Sequence, residues 1–339
     1  VSLTTGTQKN QTYVSVGAVN ARGIIQNNDL DRYNFSVRNT TSMLNDKLTM
    51  DLSFMYSNVK EQNMLSQGEY ANPLVPVYLF PRGDDFSKYQ YYERYDVDRN
   101  IKTQFWPLKE NGLSMQNPYW ITNRNMYTNK KDRFLASGSL KYTITDWLNV
   151  SGRVKLDKET INSEKKMYAS TLNVIAENSD KGAYVQSNKN TSQIYADAML
   201  NINKYFYHNT WNLTASLGAS LLDLDYKELN FGGGLLTIPN LFTSNNANVS
   251  GKLTYKNTNY HDRTNSLFGT FSLGYKGMVY VDGSLRNDWI SALAGTNHSS
   301  ILYPSIGASA ILTNMFTMKS NILSYAKVRL SYSEVGNAP

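Results

Sequence analysis

Residues 211–221 alternate without interruption: Trp211, Leu213, Ala215, Leu217, Ala219 and Leu221 fall on one parity, Asn212, Thr214, Ser216, Gly218 and Ser220 on the other. A period of two is the period of a β-strand, so one face of this segment is apolar and the other is small and polar. The same dyad recurs in Phe134, Ala136, Gly138, Leu140 and Tyr142 against Arg133, Ser137, Ser139 and Lys141. It recurs again in Leu148, Val150, Gly152, Val154 and Leu156 against Asn149, Ser151, Arg153, Lys155 and Asp157. One dyad fits a water-facing antiparallel sheet equally well. The pattern predicts about eleven strands, over 11–21, 31–43, 47–60, 132–145, 147–162, 189–204, 209–226, 262–276, 278–290, 300–313 and 321–335. Each is long enough to cross a bilayer as a tilted strand, for which ~9–11 residues suffice.

The connections discriminate more than the strands. Short turns at Asn45-Asp46, Asp146, Tyr205–His208 and Lys276-Gly277 alternate with longer stretches at 61–131, 163–188, 227–261 and 291–299. That order is expected of a transmembrane barrel, with short turns at one rim and long loops at the other, and not of a soluble sandwich. Aromatics cluster at the short turns: Tyr142 and Trp147; Tyr205, Phe206, Tyr207 and Trp211; Tyr275 and Tyr280. Such rings suit the headgroup level of a membrane.

Composition agrees. Hydrophobic residues make up 41% and mean hydropathy is −0.47, low for a conventional core in 339 residues. A wall that is apolar only at every second position, with a polar lumen, keeps average hydropathy low. The 25 Tyr, 12 Phe and 5 Trp favour strands over helices. There is no cysteine, which excludes disulfides, CxxC redox sites and thiolate metal sites. His208, His261 and His298 are the only histidines, a poor supply for a metal centre, and no apolar run is long enough for a membrane helix. The net charge of +7 is spread among acids with no arginine-rich run, so it reads as a property of loops and lumen, with no nucleic-acid partner expected. The start Val-Ser-Leu-Thr-Thr has no signal-peptide character, so the chain is expected to begin inside a longer protein.

No motif carries catalytic chemistry, so no enzyme, metal or cofactor is expected. Asp96 and Asp98 have a calcium-loop spacing but lack the glycine and the distant glutamate. Asp223 and Asp225 put two carboxylates on one strand face, as a glycosidase would, but at the end of the clearest strand they read as rim charges. Gly232-Gly233-Gly234 lacks the Lys and Ser/Thr of a phosphate loop and reads as a flexible stretch. Segment 61–131, predicted to be a long extracellular loop, is different. It is punctuated by Pro73, Pro76, Pro81, Pro107 and Pro118 and carries Tyr89, Tyr91, Tyr92, Tyr95, Trp106, Tyr119 and Trp120 beside charged residues. Those seven rings are the candidate ligand- or partner-binding residues, since flat apolar faces stack on sugars or peptides; equally, they could pack the loop on itself.

Three stretches carry a resemblance: "YVSVGAVNARGIIQNNDLDRYNFSVRNT", "VYVDGSLRNDWISALAGTNHSSILYPSIGASAIL" and "LSYAKVRLSYSEVGN". In order along the chain they resemble SusC/RagA-type TonB-dependent outer-membrane transporters of Bacteroidetes. The matching positions are Arg286, Asn287, Asp288, Trp289, Tyr303, Pro304, Ser305, Lys327, Arg329, Tyr332, Val335, Gly336 and Asn337. The resemblance implies an all-β antiparallel transmembrane barrel of roughly 22 strands, of which this chain supplies wall and outer loops. It also implies a plug, a TonB-contacting segment and a SusD-like surface lipoprotein as lid, with import of glycan or peptide driven through the TonB complex. No plug, TonB box or terminal strand is found in this sequence, so all of residues 1–339 are expected to be part of one barrel domain. A passive porin or adhesin-type barrel is the alternative, and it shares the dyads and the loop order without energy coupling.

Overall fold

A computed structural model describes residues 1–64, 70–107, 115–248, 255–316 and 323–336. Among these, the strands that share one sheet are β1 (Ser2–Gly6), β2 (Asn10–Arg22), β3 (Asp29–Met43), β4 (Leu48–Gln62), β7 (Asn125–Thr145), β8 (Leu148–Tyr168), β9 (Gly182–Phe206), β10 (Trp211–Gly234), β11 (Tyr255–Tyr275), β12 (Val279–Ile290), β13 (Ser300–Ile311) and β14 (Lys327–Ser333). They pair strictly in chain order, every neighbour antiparallel, giving a sheet of twelve with β1 and β14 at its two ends. A two-stranded hairpin, β5 (Glu93–Asp96) and β6 (Ile101–Gln104), lies apart from it, with the short helices α1 (Leu74–Tyr78), α2 (Pro118–Arg124) and α3 (Leu312–Met315).

The register turns the sequence dyads into two continuous faces. Leu52, Gly138, Val154, Ala196 and Leu221 form one cross-strand row. The adjacent row on the opposite face is Asp51, Ser139, Arg153, Asp197 and Ser220. On the apolar face large side chains stand free: Leu217 is 64% exposed, and Leu140, Val154, Leu267, Leu285 and Ile306 are exposed as well. A water-soluble sheet would cover such a surface; a barrel wall presents it to lipid. On β10 the apolar positions run from Leu213 to Leu221, roughly 27 Å along a strand, or about 21 Å of height at a tilt of ~40°, comparable to the ~25 Å band of an outer-membrane barrel.

Aromatics mark both limits of this band. At one end Trp211 and Tyr275 pack with ring centroids 4.7 Å apart, and Tyr142 lies on the same face. At the other end Phe35, Tyr56 and Phe134 form a cross-strand row, with Phe54 at 4.9 Å from Phe134. Tyr205 and Tyr280 fall on the polar parity, so that part of the girdle expected from sequence is turned inward.

The connections keep their alternation. Turns 44–47, 146–147, 207–210 and 276–278 are tight, and Lys276 (φ 49°) and Gly277 (φ 64°) give the left-handed pair that a two-residue hairpin turn needs. The longer connections, from β4 to β7, β8 to β9 and β10 to β11, all leave and re-enter the sheet at the opposite rim. The connection 312–326, which holds α3, breaks the pattern by being long on the tight-turn side.

The sheet has one strand more than the sequence pattern predicts, because β1 (SLTTG) is short and exposed throughout. The central strands are also longer than expected. β9 has 25 residues and β10 has 24, whereas β12 has 12, so the middle of the wall rises well past the apolar band. The glycine run 232–234 therefore ends β10 instead of forming a flexible loop. A Cβ on Gly232 would lie 2.1 Å from the Tyr184 carbonyl oxygen, and one on Gly234 would lie 2.7 Å from Ser179 Cβ. Only bare backbone lets β10 approach β9 and segment 169–181 this closely.

Candidate functional site: the cap and the polar face

Above the raised strands, the connections 63–124, 169–181 and 235–248 pack into a cap. Its centre is a knot of rings. Phe80 meets Phe86 at 5.0 Å, Tyr89 at 5.6 Å and Trp106 at 5.5 Å, and Tyr89 meets Trp106 at 5.3 Å and Phe105 at 5.1 Å. These edge-to-face and tilted contacts are the geometry that ring quadrupoles favour. The prolines shorten what the chain must order: Pro73 precedes α1 and Pro118 opens α2, where a missing N–H costs nothing.

Buried amides wire the cap together, as buried polar groups require. Asn117, fully buried, donates through Nδ2 to the carbonyls of Tyr89 (2.7 Å) and Phe105 (2.9 Å), while its Oδ1 accepts from the Tyr119 N–H and caps α2. Gln104 donates through Nε2 to the Ser170 carbonyl at 2.6 Å, and Gln116 Oε1 accepts from the Leu172 N–H at 3.0 Å. Trp120 Nε1 donates to Thr171 Oγ1 at 3.0 Å. Asn27, in the 23–28 connection, donates to the Thr122 carbonyl at 3.0 Å. The described residues of 63–124 are thus pinned to two other connections, 169–181 within the cap and 23–28 beside it.

One charge cluster lies within it. Glu93 accepts from Arg124 Nε (2.9 Å) and Nη2 (2.7 Å) and from Lys102 Nζ (2.6 Å). Partial burial pushes its carboxyl up, but the two cations outweigh burial and hold it below the usual glutamate range. The Arg124 guanidinium lies 5.0 Å over the Tyr168 ring, a cation–π contact to the wall.

The seven candidate rings divide. Trp120 is 1% exposed, Trp106 5% and Tyr89 8%, so these three are core of the cap and present no face to a ligand. Tyr92 and Tyr119 are half-buried, Tyr92 lying under Arg124 at 5.7 Å and Tyr119 beside Phe86 at 6.1 Å. Tyr91 and Tyr95 are the two that stand open, at 83% and 60% exposure, together with Tyr78 and Leu79 of the α1 end, which the sequence reading did not single out. Asp96 accepts from the N–H groups of Asp98 and Arg99 at 3.1 Å each and so closes the β5–β6 turn.

The family-like motif also divides, by strand parity. Arg286, Asp288 and Tyr303 fall on the polar face, where Arg286 Nε donates to Asp288 Oδ1 at 2.7 Å and Nη2 to Ser266 Oγ at 2.8 Å. Asn287, Trp289 and Pro304 fall on the apolar face, with Trp289 at the upper limit of the band. Asn337 lies outside the described residues. Further along the polar face, Arg133 with Asp157, Arg153 with Asp197 and Lys189 with Glu228 continue a series of cross-strand ion pairs. Asp223 and Asp225 sit just past Leu221 on the apolar parity, paired with His261 (2.8 Å) and Lys227 (3.0 Å), as rim charges above the apolar band.

No protein-family profile matches the sequence, and no curated protein does. Solved structures do match. The structure of the RagAB peptide transporter superposes with a TM-score of 0.70 at 17% identity, over 98% of this chain and 36% of that one. The ferric citrate transporter FecA gives 0.56 at 10% identity, over 92% of this chain and 39% of that one. The ferric-catecholate import receptor Fiu of E. coli K12 gives 0.52 at 11% identity, over 98% of this chain and 51% of that one. The chain therefore spans between about a third and a half of the length of these structures. It has the fold of a stretch of β-barrel wall like those of these outer-membrane transporters.

Proposed function

We propose that the protein to which this wall belongs imports a nutrient, a glycan or a peptide, across the outer membrane, energised through the TonB complex and lidded by a SusD-like surface lipoprotein. The observation that carries this reading is the wall itself. Consecutive antiparallel strands present apolar side chains on one face and ion-paired polar ones on the other, with an ordered cap at one rim. A lipid-exposed apolar face and a charged lumen support passage of polar cargo. The match to RagAB, named as a peptide transporter, supports the peptide branch of the reading. Residues 63–124 then serve as an extracellular element. Tyr91 and Tyr95, with the partly open Tyr92 and Tyr119, offer ring faces where cargo or lid arrives.

Uptake of labelled oligopeptide or oligosaccharide by cells carrying the complete gene, with and without TonB, tests the proposal. Loss of uptake without TonB is expected. Unchanged diffusive uptake would instead make the protein a passive porin. Replacing Tyr91 and Tyr95 together by Ala is expected to weaken cargo or lid affinity by about 1–3 kcal/mol while the barrel assembles normally. Unchanged affinity for both would remove these rings from the site.

A further inference from the structure

Where β7, β8 and β9 rise past the apolar band, their polar faces enclose a cavity of about 290 Å³ that includes Tyr127, Ser163, Lys165, Ser187 and Lys189 in its lining. Lys165 stands directly opposite Tyr127 on one side and Val185 on the other, and Ser187 faces Ser163 one step further along the same face. Neighbouring side chains in such rows have Cβ atoms ~4.5–5.5 Å apart, close enough for one small ligand group to touch several of them.

Lys165 and Ser187 are half-buried and Tyr127 is exposed, and among the described residues the Lys165 ammonium and the hydroxyls of Tyr127 and Ser187 make no hydrogen bond or ion pair within the protein, so all three are free to meet a ligand. Nearby acids are committed elsewhere. Glu164 accepts from Lys166 Nζ and the Tyr184 hydroxyl, Glu61 from Asn129 Nδ2, and Glu228 from the Tyr226 hydroxyl and Asn230 Nδ2, with Lys189 Nζ 3.5 Å away. Glu177 acts on Lys165 only through space. Burial pushes the Lys165 ammonium below its ordinary range, with the Glu177 charge opposing that shift. By contrast, Arg133, Arg153 and Arg286 on the same wall each have a carboxylate.

A partly desolvated ammonium beside two hydroxyls free of protein partners suits a group that only accepts hydrogen bonds and carries negative charge. We propose that this cavity binds a carboxylate of the cargo, with Lys165 Nζ as the charged donor and Tyr127 and Ser187 as neutral ones. A peptide C-terminus and a uronic acid both supply that chemistry. The cavity lies on the lumen side beside the cap, where cargo would first meet the wall. The inference rests on the import reading above and adds the recognised group.

The test uses the complete, purified transporter with its native partner. Four probes are titrated: N-acetyl-tetraalanine as the free acid and as the amide, and a tetragalacturonate as the free acid and as the methyl ester. In at least one pair the wild-type protein is expected to prefer the acid by about ten-fold, and the pair that shows the preference names the source of the carboxylate. In K165Q the acid-to-neutral ratio is expected to fall to about one, and in K165R to persist in part. Equal affinity for acid and neutral forms in the wild type overturns the inference and leaves the import reading standing, even if K165Q fails to assemble. A ratio unchanged in K165Q also overturns it. Binding of none of the four probes also overturns the inference, while the import reading stands or falls on the TonB-dependent uptake measured above.

Discussion

Trp120 is 1% exposed and its indole N–H is used inside the protein, so replacing it by Ala leaves a cavity and removes one of the two hydrogen bonds of the Thr171 hydroxyl, which still donates to Asn125 Oδ1. The cap should lose about 3–5 kcal/mol of local stability, while the strands below keep their pairing. Hydrogen exchange confined to residues 70–124 and 169–181, on a barrel that still migrates as folded, is the expected result. Unchanged exchange with lost cargo binding would return this ring to the ligand-binding role that its sequence context suggested. Glu93 gives the cap a pH dependence of known sign. Its carboxyl is held below its unfolded value by Lys102 and Arg124, so the stabilisation is present above the unfolded glutamate range and is lost as pH falls through the lower folded value. Fluorescence of Trp106 and Trp120, read with Trp147, Trp211 and Trp289 replaced by Phe, should report loosening of the cap only in acid. In E93Q that acid transition should lose amplitude. An identical transition in E93Q would assign it to other carboxylates.

At the scale of the strand, alternation was legible in the sequence wherever one face must be greasy. The tight turns at Asn45-Asp46 and Lys276-Gly277 were legible from their turn residues, and so were the aromatic limits at Tyr142, Trp211 and Tyr275. It faded toward the raised ends of the central strands. Residues 163–168 of β8, 182–188 of β9 and 227–234 of β10 are strand, yet their few apolar side chains, Met167, Ala183, Val185, Leu229 and Phe231 among them, are mixed with charged residues and glycine and set no long dyad, so the pattern reads as loop. The cap was visible only as an aromatic, proline-rich stretch. Which rings go inside depends on Asn117, Gln104 and Gln116 reaching partners dozens of residues away, and no local spacing encodes that. The parity itself makes a sharp expectation on β10. Arg at Leu217, on the apolar face, should cost about 2–4 kcal/mol if it lies near the midplane. Arg at Ser216, which faces Asn201 on the polar side, should cost about 1 kcal/mol or less. Urea titration of the assembled full-length variants measures both, and equal costs would remove the distinction between the faces.

For the molecule as a whole, everything turns on which side of the sheet meets lipid, because the cap, the ion-paired lumen and the carboxylate site all take their orientation from it. The sequence has no cysteine, so single cysteines can be placed one at a time along residues 213–221 of β10 in the full-length protein, in a background free of other thiols, and spin-labelled in reconstituted bilayers. Collisional access to dissolved oxygen, which concentrates in hydrocarbon, is then compared with access to a water-soluble nickel chelate. The account expects a strict alternation: oxygen access high at Leu213, Ala215, Leu217, Ala219 and Leu221, and nickel access high at Thr214, Ser216 and Ser220. Flat accessibility along the strand, or nickel access at the odd positions, would contradict it.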